Sequence, residues 1–72
     1  MMHKLMKHEN NTDVAALFMR VVKVPRGYKV KVSWQNIVNP QNIYPCGVTE
    51  EIFISNHDMK YWKVFTIKNM TD

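Results

Sequence analysis

The chain predicts a mainly β domain, or a small α+β one, with about four antiparallel strands in two consecutive hairpins and scope to curl into a small barrel-like sheet. Three stretches carry that prediction. Val24 to Trp34, VPRGYKVKVSW, alternates large apolar residues with cations at the period of two that lets one strand face bury while the other meets solvent. Pro25-Arg26-Gly27 has the chemistry of a hairpin connector. Val48–Ser55 and Met59–Lys68, both rich in β-branched and aromatic residues, flank the turn-forming Asn56-His57-Asp58.

Residues 1–13 are polar, rich in Asn, His and Lys, and lack a clean period. They predict a flexible or weakly helical arm. A helix could start at Asn11 or Thr12, with Val14, Leu17, Phe18 and Val21 at helical spacing. The β-branched run Phe18–Val24 outweighs it and predicts a strand from about Ala16 to Val24, preceded at most by one helical turn.

In the connector, Pro25 presets the first turn dihedral and Gly27 is assigned the left-handed position of a three-residue loop. That loop sets a register of Val24 opposite Tyr28, Val22 opposite Val30, Arg20 opposite Val32 and Phe18 opposite Trp34. The other face then carries Lys23 across from Lys29, Val21 across from Lys31 and Met19 across from Ser33. Two like charges directly opposed are mildly destabilising, so a Lys23–Lys29 pair asks for a screening anion, or serves to keep an exposed edge from pairing.

Gln35 to Gly47 holds two prolines and several Asn and Gln residues, and reads as a long loop anchored by Ile37, Val38, Ile43 and Tyr44. In the second hairpin Phe53 pairs with either Tyr61 or Trp62, and the first choice brings Glu51 opposite Lys63. Residues 14–68 are thus read as one small β domain and 69–72 as a frayed tail.

A single domain of 72 residues buries a modest share of its unfolded surface, so its stability margin is thin and homodimerisation through an edge strand would help it. Cys46 is the sole cysteine, which leaves no internal disulfide and no zinc quartet. The N-terminal stretch lacks the apolar run of a secretory signal, and no segment reaches the roughly 20 apolar residues of a membrane span. The expected setting is therefore the reducing cytoplasm, with no membrane partner.

Catalytic constellations are sparse. Cys46 and His57 are the one nucleophile–base pair the folded part offers, and nothing in the spacing requires them to meet. Glu50 and Glu51 are adjacent, so on a strand they point to opposite faces and cannot share general acid–base work. His3 and His8 sit in the arm without a metal-ligand pattern, and both glycines are absorbed by turns. The residues predict no enzyme, no metal and no cofactor.

Charge is the more telling signal. The net charge is +4, and from Val14 to Thr49 there is no Asp or Glu while Arg20, Lys23, Arg26, Lys29 and Lys31 fall inside that segment. A single-sign block of this kind favours polyanions. These five cations are the candidate binding residues, with Tyr44, Tyr61 and Trp62 as the aromatics free to stack on bases or to meet a protein, because the predicted register buries Phe18, Tyr28 and Trp34. The expected partner is RNA, DNA, a protein–RNA complex or an acidic protein surface. The competing expectation is a larger host protein, gripped and inhibited or modulated through apolar and aromatic contacts. Six methionines and two tryptophans suit such a surface. In size and style, short basic chains without catalytic groups resemble the accessory proteins of phages and mobile elements.

Overall fold

In a computed structural model that describes residues 4–38 and 43–65, the chain forms five strands and one helical turn. They are β1 (Lys4–His8), β2 (Val14–Val24), β3 (Gly27–Asn36), β4 (Tyr44–Ser55), α1 (Asn56–Met59) and β5 (Trp62–Val64). All pairings are antiparallel, and the strands build one open sheet in the order β4-β3-β2-β1-β5. The mainly β expectation holds, and the expected tail at 69–72 lies outside the described residues.

Two expectations about the ends are corrected. Residues 4–8, read as a flexible or weakly helical arm, are a strand held between β2 and β5, with Leu5 opposite Leu17 and His8 opposite Trp62. Their apolar members, Leu5 and Met6, are adjacent rather than alternating, because a strand between two neighbours in a small curled sheet has partial cover on both faces. The second hairpin does not pair with itself. β4 lies against β3 and β5 against β1, at opposite edges, so Phe53 meets Lys29 rather than Tyr61 or Trp62, and Glu51 meets Lys31 rather than Lys63. Asn56-His57-Asp58 forms a helical turn instead of a hairpin loop, and β5 leaves it toward β1. Ser55 caps it by accepting a hydrogen bond from the Asp58 N–H at 3.0 Å.

The β2–β3 register also differs by one residue from the expected one. Val24 pairs with Gly27, Lys23 with Tyr28, Val22 with Lys29, Val21 with Val30 and Arg20 with Lys31. The loop has two residues, not three, and Arg26 takes the left-handed conformation at φ 72° that Gly27 was expected to supply. Continued unbroken, this register would turn Phe18 outward with Ser33. A β-bulge between Phe18 and Arg20 absorbs Met19 and restores the phase, so that Phe18 pairs with Val32 and Ala16 with Trp34. Near the loop both Val21 and Val22 are apolar, so alternation there carries no information about which faces inward.

The inner face gathers Ala16, Phe18, Val30, Val32, Ile54 and Trp62 as a buried cluster, with Met6, Tyr28, Trp34, Ile52 and Met59 packed on it. Trp34 of β3 and Trp62 of β5 sit 6.4 Å apart by ring centroid. In a flat sheet strands three steps apart would be roughly 14 Å apart. The sheet is therefore strongly curled, yet β4 and β5 do not close it. No helix among the described residues is long and apolar enough to cross a membrane.

Candidate nucleic-acid interface

Alternation along β3 turns Tyr28, Val30, Val32 and Trp34 inward and Lys29, Lys31 and Ser33 outward. Val30 and Val32 are fully buried while Lys29 and Lys31 are exposed, so the lysine face of the ribbon forms as the pattern demands. Cross-strand pairing then arranges the outer face in rows. One row runs Phe53, Lys29, Val22 across β4, β3 and β2, and the next runs Glu51, Lys31, Arg20. Arg26 stands exposed at the hairpin tip.

Among the described residues the one ion pair is His8–Asp58, far from this face. Among the described residues no acid forms an ion pair with Lys29, Lys31 or Arg20, although Glu51 is the register partner of Lys31. The cost of holding three cations together is kept low by water, since all three side chains are exposed.

Lys23 is placed differently. It pairs with Tyr28, on the face opposite Lys29, so the expected Lys23–Lys29 charge pair does not exist. Its ammonium donates to the carbonyls of Val24 (3.0 Å) and Gly27 (3.3 Å) and to Asn56 Oδ1 (3.4 Å), and lies 4.9 Å from the Tyr28 ring centroid. These contacts tie down the loop and remove Lys23 from the outer patch.

The expected aromatics are redistributed too. Trp62 is buried in the core against Phe18 and Trp34, so it is not free to stack. Tyr61 is half-buried between His8 and His57, with the Lys60 ammonium 5.5 Å from its ring centroid. Tyr44 pairs through its backbone with Asn36, and its side chain lies outside the described residues. The ring that does accompany the lysines is Phe53, which is 55% exposed. Its ring lies over Gly27, where a Cβ would come within 2.8 Å of Phe53 Cζ. The alternation in Glu51-Ile52-Phe53-Ile54 could have disclosed this, since Ile52 and Ile54 turn inward and Phe53 between them must turn out.

Cys46 and His57 do not come together. Cys46 is exposed near the start of β4 and His57 follows its far end, about 25 Å or more away at the rise of an extended strand. Glu50 accepts a hydrogen bond from Trp34 Nε1 at 2.7 Å on the inner rim, while Glu51 is on the outer face. Among the described residues no three His, Cys, Asp or Glu side chains gather as metal ligands.

A second polar cluster staples the sheet edge to α1. His8 Nδ1 accepts the Asn10 N–H at 3.1 Å, which leaves Nε2 to donate to Asp58 Oδ1 at 3.1 Å. Trp62 Nε1 donates to the other carboxylate oxygen at 3.3 Å. The hydrogen bond from His8 and then that from Trp62 hold the Asp58 carboxyl below the usual carboxylate range, against the opposing effect of its partial burial.

No protein-family model matches the chain, and neither the curated proteins nor the solved structures yield a significant match.

Proposed function

We propose that this protein is a non-enzymatic binder of single-stranded nucleic acid, gripping it on the outer face of the β2–β3–β4 sheet. The observation that carries the reading is the pair of rows in which Lys29, Lys31 and Arg20, with no ion-pair partner among the described residues, stand beside the exposed ring of Phe53. Cations that track phosphates, next to an aromatic face that stacks on a base, are the two ingredients of sequence-tolerant single-strand binding. Arg26 extends the cationic row to the hairpin tip, whereas Lys23 is committed to the loop. Acid-free stretches of this kind also raise the encounter rate with polyanions.

With four cations engaged on a single strand, the log of the affinity should fall with the log of salt at a slope of about −3. Titrating a fluorescent oligouridylate at several salt concentrations measures it. The double variant Lys29→Glu, Lys31→Glu should lose most of the binding and flatten the slope, and Phe53→Ala should weaken binding about fivefold or more through lost stacking. A salt-independent affinity, or full retention in the double variant, would remove nucleic acid from consideration. Capture of a protein that survives nuclease treatment, with the charge reversal slowing association while leaving the affinity, would assign the same face to a host protein.

A further inference from the structure

The inner face holds a feature that the nucleic-acid reading leaves unused. Where the bulge at Met19 parts β2 from the regular ladder, the sheet opens into a cleft of about 760 Å³. Its walls are apolar: Met6 from β1, Phe18, Met19 and Val21 from β2, Tyr28 from β3 and Met59 from α1. The volume falls in the range of small-molecule sites. Water gains little from such walls, which offer it few hydrogen-bond partners.

Charge narrows the occupant. Among the described residues, the charged groups lining the cleft are Lys4 and Arg20, both cations and both exposed, and no carboxylate lines it. A third ammonium, that of Lys23, lies against the Tyr28 ring that forms part of the wall. A small inorganic anion would find cations but leave the apolar walls uncovered. A neutral hydrocarbon would cover the walls but make no use of the cations. An unbranched apolar chain ending in an anion satisfies both. The three thioether side chains suit such a ligand, since methionine adapts to a flexible chain at little cost.

We infer that this cleft is a binding site for a long-chain carboxylate, its hydrocarbon between Met6, Phe18 and Met59 and its carboxylate at Lys4 and Arg20. The site is distinct from the Lys29–Lys31–Phe53 face, which lies on the other side of the sheet, and Arg20 at the bulge is the residue the two have in common.

The test uses the whole chain and dodecanoate, with dodecanol as the neutral control, followed by displacement of a fluorescent fatty acid. Dodecanoate should bind saturably, one per chain, and more tightly than dodecanol. Val21→Trp narrows the cleft from a half-exposed position that tolerates a larger side chain, and should abolish binding while thermal unfolding stays cooperative. The surface variant Lys4→Gln, Arg20→Gln should weaken dodecanoate about three- to tenfold without changing dodecanol, as expected for two exposed ion pairs. Lys29→Glu, whose register partners are Val22 and Phe53 and not Arg20, should bind dodecanoate as the unaltered chain does, which separates this site from the outer face. Absence of dodecanoate binding up to its solubility limit would overturn the proposal. So would equal binding in a folded Val21→Trp variant, equal affinity for the alcohol, or a dimer that dodecanoate dissociates, since the last would make a second copy the occupant.

Discussion

Replacing Gly27 by alanine tests the hairpin geometry on which both faces depend. A Cβ on Gly27 would sit 2.3 Å from the carbonyl oxygen of Ile54 and within 2.9 Å of two Phe53 ring carbons. Phe53 can swing aside, because its ring is half exposed. The Ile54 carbonyl cannot move alone. Its residue is buried in the core, Ser55 next to it caps α1, and the Asn56 N–H is bonded to the Arg26 carbonyl at 2.9 Å. Relieving the clash means displacing this corner by about 1 Å, an overpacking strain of about 2–4 kcal/mol. A domain of this size has roughly 4–11 kcal/mol in total. The midpoint of thermal unfolding should therefore drop by roughly 10–30 °C.

Two companion variants isolate the cause. Arg26→Gly removes a left-handed strain of about 1–2 kcal/mol and adds about 0.5–1 kcal/mol of unfolded-state entropy, so it should be neutral or stabilising by up to about 1.5 kcal/mol. Gly27→Asn would be accepted if Gly27 were needed for its dihedral, because Asn tolerates the left-handed region. The crowding at Ile54 makes it as damaging as alanine instead. Urea titrations followed by tryptophan fluorescence measure all three. Gly27→Ala within about 0.5 kcal/mol of the unaltered protein, or Arg26→Gly clearly destabilised, would refute the two-residue loop and the register built on it.

Three further outcomes follow from named contacts. Asp58→Asn should cost about 1 kcal/mol at neutral pH, a figure held down by the 44% exposure of the carboxylate. Since the folded pKa of Asp58 lies below its ordinary value of 3.8, its contribution is complete above that pH and fades as the pH falls through the folded value, so the two stability curves should converge in acid. Val30→Ala, at a fully buried position, should lower the urea midpoint by an amount equal to about 1.5–3 kcal/mol with little change in slope. Lys7→Pro tests β1. The flanking bonds from Glu9 N–H to the Tyr61 carbonyl and from Phe65 N–H to the Leu5 carbonyl make Lys7–Lys63 a hydrogen-bonded pair by antiparallel alternation. A proline there should cost about 3 kcal/mol, whereas a mobile arm would accept it without change in the melting curve.

The sequence disclosed faces better than partners. In β3 the strict alternation of Val30 and Val32 with Lys29 and Lys31 left a single consistent arrangement, and the structure adopts it. Where both neighbours are apolar, as at Val21-Val22, the pattern is silent and the turn decides. The turn in turn depends on Arg26 entering a region that sequence reasoning reserves for glycine, while Gly27 is needed for close approach instead. Strand partners are set by long-range packing. Nothing local in Trp62-Lys63-Val64 says that it joins β1 rather than β4, because that choice follows from Trp62 reaching Phe18 and Trp34 across a curled sheet. The same packing moved Trp62 from the exposed aromatics into the core and left Phe53 outside.

The uneven placement of acids gives the two faces their different characters. Both indoles that pack on the core donate their N–H to a carboxylate at the inner rim, Trp34 to Glu50 at a solvent-exposed position and the buried Trp62 to Asp58, where an unmet donor would cost about 1–3 kcal/mol. Asp58 is further occupied by His8, which draws β1 to α1. Two acids that could have screened the lysines are thereby held on the other side of the sheet, where they serve the core. On the β2–β3–β4 outer face this leaves Glu51 against Arg20, Lys29 and Lys31, a local excess of positive charge. Strand alternation makes this separation automatic, because Glu50 and Glu51 are neighbours in sequence and so fall on opposite faces. Exchanging the pairing by one residue would put Glu50 among the lysines and leave the Trp34 N–H without its acceptor, so the register that completes the core is also the one that exposes the cationic face.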